Sequence, residues 1–174
     1  RREKSPIGLP LRLRLGAAFV NQTPLAWQQN SLHIRAALDE ARQRGVSVLC
    51  LPELAVSGYG CEDTLLAPWM QRRALDEALA LVEHTQGIFT AFGIPLEIEG
   101  ALYNVMLVAA ERQLLGVVPK QQLARSGLHY EPRWVSPWPV GKATRMKLDG
   151  REVRVGDLLF KFADACVGFE VCED

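Results

Sequence analysis

Apolar residues fall along the chain in short runs with two different periods. Residues 12–20 alternate and then turn apolar, which predicts a first strand. Ile34, Ala37, Leu38 and Ala41 stand at i, i+3, i+4 and i+7. That spacing predicts a helix capped by Asn30, running to about Arg44 and stopped by Gly45. Residues 46–51 form a continuous apolar run, as in a strand covered on both faces. A glycine-rich turn, Ser57-Gly58-Tyr59-Gly60, leads into a second helical region over about 64–85. Leu75, Ala78, Leu79 and Val82 form its expected buried face, and Pro68 breaks its first part. Strand-like runs follow at 88–94, 101–109 and 112–118, then an irregular, aromatic-rich stretch over 122–138. Asp149-Gly150 marks a hairpin turn, and 159–162 and 166–171 supply further strands.

Helices alternate with strands early and hairpin-like strands come later, which predicts a mixed α/β sheet with helices packed on it. The 174 residues suffice for one domain with a real core. With 48% apolar and 23% charged residues, the composition is that of a soluble globular protein. Lys plus Arg balances Asp plus Glu at 20 each, so neither nucleic acid nor an anionic membrane is an expected partner. No apolar run has the length of a membrane span. Residues 1–10 read as a flexible lead-in, with basic residues but no signal-type apolar stretch behind them. The four cysteines form no CxxC pair and the three histidines are scattered, so no metal site and no disulfide framework is expected. Reduced thiols and a cytoplasmic location follow as expectations.

The chemical signal is positional. Glu53 follows the run 46–51, Lys120 follows 114–118 through Pro119, and Cys172 follows 167–171. Ligand sites in α/β sheets form beyond the carboxyl ends of strands. If these strands lie side by side and point the same way, the three side chains converge. Each also has a plain reading: a loop carboxylate, a solvated ammonium, a buried thiol. Together they suit amide cleavage. A thiolate is a strong nucleophile, a carboxylate can take its proton and pass it to the departing amine, and an ammonium can stabilise the oxyanion. Cys50 and Cys166 read as core thiols, and Cys61 has no evident chemical role. Trp134 and Trp138 are expected to wall the site.

The segment Leu51-Pro52-Glu53-Leu54-Ala55-Val56-Ser57-Gly58-Tyr59 resembles the glutamate motif of the nitrilase, or carbon–nitrogen hydrolase, superfamily. Val118-Pro119-Lys120 resembles its lysine motif and Glu170-Val171-Cys172-Glu173-Asp174 its cysteine motif. Within that superfamily the chain is most similar to the glutaminase domains of glutamine-dependent NAD⁺ synthetases. Gly58-Tyr59-Gly60-Cys61-Glu62-Asp63, His129-Tyr130-Glu131-Pro132-Arg133-Trp134, Ser136-Pro137-Trp138, Asn21-Gln22-Thr23-Pro24 and Val155-Gly156-Asp157 carry that finer likeness, which spans residues 11–174.

The resemblance implies a nitrilase-like αββα sandwich, of which this chain holds the N-terminal part, incomplete after the nucleophile. Such domains continue well past the cysteine, so the chain is expected to be a fragment with an exposed apolar sheet face. The resemblance implies catalytic roles for Glu53 (base, then acid), Lys120 (oxyanion, with the N–H of Glu173) and Cys172 (γ-glutamyl thioester). It implies substrate contacts at Tyr59, Glu131 and Glu173. Against these stand a packed aromatic for Tyr59, a simple pairing of Glu131 with Arg133, and a backbone-only role for Glu173. Glutamine is the implied substrate, with ammonia passed to amidation of deamido-NAD⁺. The glutaminase reaction needs no cofactor; ATP and Mg²⁺ belong to a synthetase domain that is absent here. A homo-oligomer is implied for the full-length protein. The alternatives are a stand-alone amidase acting on another small amide and a catalytically inactive interaction module.

Overall fold

The computed structural model describes residues 13–127, 130–162 and 165–174. The lead-in, the start of the expected first strand at Arg12, and His129 lie outside them. The elements are β1 (Leu15–Ala17), α1 (Trp27–Gln43), β2 (Val48–Cys50), a 3₁₀ turn at Glu62–Leu66, α2 (Pro68–Val82), β3 (Phe89–Ile98), β4 (Ala101–Ala110) and β5 (Gln113–Pro119). A 3₁₀ turn at Glu131–Arg133, β6 (Ala143–Leu148), β7 (Arg151–Gly156), β8 (Phe160–Phe162) and β9 (Ala165–Val167) complete them. The expected mixed α/β architecture is present, with a seven-stranded sheet in the order β1-β2-β3-β4-β5-β7-β6. β1, β2 and β3 run parallel, β4 is antiparallel to both its neighbours, and β7 is parallel to β5.

Residues on β3 and β4 alternate between two apolar layers. Phe92, Ile94, Leu96, Val105 and Leu107 face the helices, where they meet Ile34 and Leu38 of α1 and Ala74, Ala78 and Leu81 of α2. Phe89, Ala91, Met106 and Val108 face the other way, towards Val118, Phe160 and Val171. Period-two side-chain alternation thus buries both faces of the central strands, which is why both read as continuous apolar runs. The expected exposed sheet face is not found over this part of the sheet. β8 and β9 form a separate two-stranded ribbon, and the segment around them covers it. Phe89 meets Phe160 edge-on at 5.8 Å and stacks on Phe169 at 5.8 Å.

Several expectations need correction. The first strand is only three residues long. α1 begins before Asn30, and Ala26 at its N-cap makes no side-chain cap. Asn30 is instead fully buried inside the first turns, bonded to Thr23 and to the Val56 carbonyl. Pro68 divides the second helical region as expected, but by opening α2 at its first turn, where a missing N–H has no consequence. The buried face of α2 is Met70, Ala74, Ala78, Leu81 and Val82, so Leu75 and Leu79 sit at its margins. Asp149 and Gly150 both take positive φ, 48° and 72°, and close the β6–β7 hairpin in the geometry expected of that dipeptide. The last strand ends at Val167, short of the expected 171.

Candidate active site

β2 and β5 point the same way, so their carboxyl ends open on the same edge of the sheet. They are not neighbours, however, because β3 and β4 lie between them. At about 4.8 Å per strand their axes are about 14 Å apart, too far for side chains alone to close. The turn after β2 closes the distance by crossing the sheet face at Gly93. A Cβ on Gly93 would lie 2.4 Å from the Leu54 backbone nitrogen, and the Val56 N–H donates to the Gly93 carbonyl at 3.3 Å. Leu54 takes φ 50°, which swings the chain over. Residues near the N-terminus hold this turn from outside. Gln22 Nε2 donates to the Ala55 carbonyl at 2.6 Å, and the Leu25 N–H donates to the Ser57 carbonyl at 2.8 Å. That explains Asn21-Gln22-Thr23-Pro24 as a brace for the glutamate loop.

Lys120 follows β5 directly and its side chain is 1% exposed. Its Nζ donates to Glu53 Oε1 at 2.8 Å and to Glu131 Oε1 at 3.0 Å. Glu131, on its 3₁₀ turn, also accepts from the Ala124 N–H through Oε2 at 2.7 Å. The pairing of Glu131 with Arg133 does not occur; Arg133 reaches Asp63 instead, Nε to Oδ1 at 2.8 Å and NH2 to Oδ2 at 2.9 Å. Burial pushes the Lys120 ammonium down, but bonds and Coulomb attraction to Glu53 and Glu131 outweigh it and the net shift is upward. Burial pushes the Glu53 carboxyl up. Lys120 and Asn104 pull it down, Glu131 adds repulsion, and the net direction is up. One ammonium shared by two carboxylates leaves an excess of negative charge, and a proton on Glu53 relieves it.

Asn104 completes this cluster and was not anticipated. It lies within β4, almost fully buried, with Nδ2 donating to Glu53 Oε1 at 2.6 Å. Its backbone carbonyl accepts the Lys120 N–H at 2.9 Å. A single Asn inside the run Ala-Leu-Tyr-Asn-Val-Met-Leu-Val was the available signal, since Asn is depleted from strand interiors.

Cys172 does not leave a strand. It sits in the final turn, exposed, with φ 55°, a left-handed conformation that is strained for a non-glycine residue and common at functional turns. Asp174 brings that turn to the lysine. Its Oδ1 accepts the N–H groups of Gln121 and Gln122 at 2.8 and 2.6 Å, and its Oδ2 accepts the Val171 N–H at 3.1 Å. The cysteine turn is therefore pinned to the two residues after Lys120. Glu173 is exposed on it.

A cavity of about 260 Å³ opens beside the cluster, lined by Leu54, Tyr59, Asn104, Glu131, Trp134 and Val135 among others. Drug-sized pockets begin at roughly 300 Å³, so this one suits a molecule of amino-acid size. Tyr59 is partly exposed on its wall, and burial, then Glu53 and Glu131, push its hydroxyl up. A charge on Cys172 acts in the same direction. Trp134 lines the cavity as expected. Trp138 does not: it is buried against Tyr103 at 5.0 Å, with Nε1 donating to the Lys142 carbonyl at 3.0 Å.

Cys50 and Cys166 are exposed rather than in the core. Cys61 is the buried thiol, in contact with the Ser57 and Gly58 carbonyls at 3.4 and 3.3 Å, and burial pushes its acidity down. Its place is structural, closing the turn that carries Tyr59. Among the described residues no group of three or more His, Cys, Asp and Glu is placed to hold a metal ion, and no helix is long and apolar enough to cross a membrane.

The sequence profile of the carbon–nitrogen hydrolases matches residues 14–174. A crystal structure of a glutamine-dependent NAD(+) synthetase from Cytophaga hutchinsonii superposes with a TM-score of 0.90 at 38% identity, covering 93% of this chain and 28% of that one. The glutamine-dependent NAD(+) synthetase of Bos taurus is 30% identical over 94% of this chain and 25% of its own length. That of Arabidopsis thaliana is 30% identical over 93% of this chain and 24% of its own. The chain thus spans about a quarter of the length of the curated relatives it matches. In the Cytophaga protein that likeness extends to the mixed α/β fold.

Proposed function

The chain belongs to the carbon–nitrogen hydrolase family, and on that premise we propose that it hydrolyses the side-chain amide of glutamine and supplies the ammonia to an ATP-dependent amidation of deamido-NAD⁺ in the full-length protein. The observation that carries this reading is the buried Lys120 ammonium held between Glu53 and Glu131 beside an amino-acid-sized cavity. The likeness to named NAD(+) synthetases supports the choice of amide and of the ammonia's destination.

In this reading Cys172 is the nucleophile. Its thiol proton passes to Glu53 as the sulfur bonds to the amide carbon. The negative charge that develops on the amide oxygen faces the Lys120 ammonium and the N–H of Glu173. The C–N bond then breaks, Glu53 returns the proton to the leaving nitrogen, and ammonia departs from a γ-glutamyl thioester. Water attacks that thioester and gives a proton to Glu53. The C–S bond breaks, glutamate leaves, and the proton goes back to sulfur. A Glu53 carboxyl pushed up by burial is better matched to this two-way traffic than an ordinary surface carboxylate. Glu131 fixes the lysine, and Tyr59 and Glu173 contact the amino-acid part of the substrate.

The test is steady-state release of ammonia and glutamate from glutamine by the full-length protein. A diazo-ketone glutamine analogue should label Cys172 and spare a Cys172→Ala variant. No glutamine turnover, with another small amide cleaved, would overturn the substrate; no labelling of Cys172 would overturn the nucleophile.

A further inference from the structure

Asn104 makes two contacts that no packing need explains. Its Nδ2 and the Lys120 Nζ both donate to one oxygen of Glu53, Oε1, at 2.6 and 2.8 Å. Its own carbonyl fixes the Lys120 backbone at 2.9 Å. The side-chain orientation is set by chemistry, because turning the amide over would put its oxygen against the Glu53 carboxylate. In that orientation Oδ1 is buried and meets no hydrogen-bond partner among the described residues. A buried carbonyl without a partner is a standing cost to the fold, and an apolar side chain of similar size would remove it. The amide is thus unfavourable for packing and favourable only for Glu53.

We propose that Asn104 is a positioning residue: with Lys120 it occupies Glu53 Oε1, fixes the carboxylate plane, and leaves Oε2 as the oxygen that exchanges the proton with Cys172 and with the departing nitrogen. This rests on the reaction proposed above. In the attack step the S–H bond breaks and an O–H bond forms at Oε2, while Oε1 keeps both of its donors. In the leaving step the same proton moves from Oε2 to nitrogen. Among the described residues, Asn104 from β4, Lys120 after β5, Glu131 from its 3₁₀ turn and Tyr59 on the cavity wall act on or are acted on by this carboxylate, besides the Cys172 thiol of the proposed reaction. Asn104 and Lys120 favour its ionised form, and Glu131 opposes it. Removing the Asn104 donor therefore moves Glu53 further up.

The test uses Asn104→Leu and Asn104→Asp in the full-length protein. For Asn104→Leu the expectation is an unchanged or raised Tm, kcat down about a hundredfold, the loss typical of a misplaced catalytic group, KM nearly constant, and the acidic limb of the pH profile displaced to higher pH. Asn104→Asp should displace that limb further, since a second carboxylate then faces Glu53. The same limb is read without glutamine from the pH dependence of Cys172 alkylation by iodoacetamide, followed by peptide mapping. If the native protein cleaves no glutamine, the substrate reading alone fails and the alkylation profiles still decide the role of Asn104. Native kcat and an unmoved acidic limb in a folded Asn104→Leu protein would overturn the proposal. So would a loss of Tm with normal kinetics, which marks a purely structural residue. If Asn104→Leu does not fold, an unmoved alkylation limb in Asn104→Asp overturns it.

Discussion

Asp63 and Arg133 face each other in a two-point ion pair, Nε to Oδ1 at 2.8 Å and NH2 to Oδ2 at 2.9 Å, across 70 positions of sequence. Trp134 Nε1 donates to the same Oδ1 at 2.8 Å. The pair joins the Gly-Tyr-Gly-Cys-Glu-Asp turn to the Glu-Pro-Arg-Trp turn, and both turns line the cavity. Two segments that are far apart in sequence are thus one wall of one site.

Bonds from Arg133 and then Trp134 hold the Asp63 carboxyl at about 2. A depressed carboxyl contributes its stabilisation above the unfolded value of about 3.8 and loses it as pH falls through about 2. Carbon-detected NMR titration of Asp63 should give a midpoint near 2, and Arg133→Ala should return it towards the ordinary carboxylate range. Because the pair lies at the surface, Asp63→Ala should change global stability little. It should instead raise KM for the amide, since Trp134, which lines the cavity, loses its anchor.

Lys120→Met should be inactive and less stable. It leaves Glu53 and Glu131 facing each other without their shared cation, at a cost of about 3 kcal/mol at neutral pH. Lys120 is shifted upward, so its contribution is complete below its unfolded value of 10.5 and is lost only as pH rises beyond it. The defect should therefore be full at pH 7 and should shrink towards pH 5 as the Glu53 carboxyl, pushed up by burial, takes up a proton. Urea denaturation of both proteins at the two pH values measures this; an equal gap at both would argue against the shared-cation arrangement.

Gly93→Ala tests whether the turn crossing the sheet is what delivers Glu53. The new Cβ would sit 2.4 Å from a backbone nitrogen that cannot swing aside. Overpacking of this kind costs about 1–3 kcal/mol, and a displacement of the carboxylate by about 1 Å lowers kcat on the order of a hundredfold. A folded Gly93→Ala protein with native kcat would show that the crossing does not set the position of Glu53.

The four thiols should separate by accessibility. Brief treatment of the native protein with iodoacetamide, read by peptide mass spectrometry, should modify Cys50, Cys166 and Cys172, which are exposed, and spare Cys61. Burial also holds the Cys61 thiol in its protonated, unreactive form. A glutamine-analogue electrophile should select Cys172, because Asp174 ties the turn that carries it to the residues after Lys120.

Much of the fold is legible in the sequence because local patterns determine it. The apolar spacing of Ile34, Leu38 and Ala41 gives α1, the continuous runs give β3 and β4, and Asp149-Gly150 gives the β6–β7 turn. The residue types at Glu53, Lys120 and Cys172 are those the proposed amide cleavage would need, since few side chains can supply a nucleophile, a proton carrier and an oxyanion partner. What local pattern cannot carry is register between distant segments. Adjacent strands for Glu53 and Lys120 were the simplest expectation, yet two strands separate them and the crossing at Gly93 brings them together. Only the tertiary structure decided that Glu131 takes Lys120 while Arg133 takes Asp63, that Asp174 pins the cysteine turn beside Lys120, and that Asn104 stands beneath Glu53. The physical reason is the same in each case. A hydrogen bond is selected by distance and direction in three dimensions, and those are set by how the sheet stacks and where its connections cross, not by the order of residues along the chain.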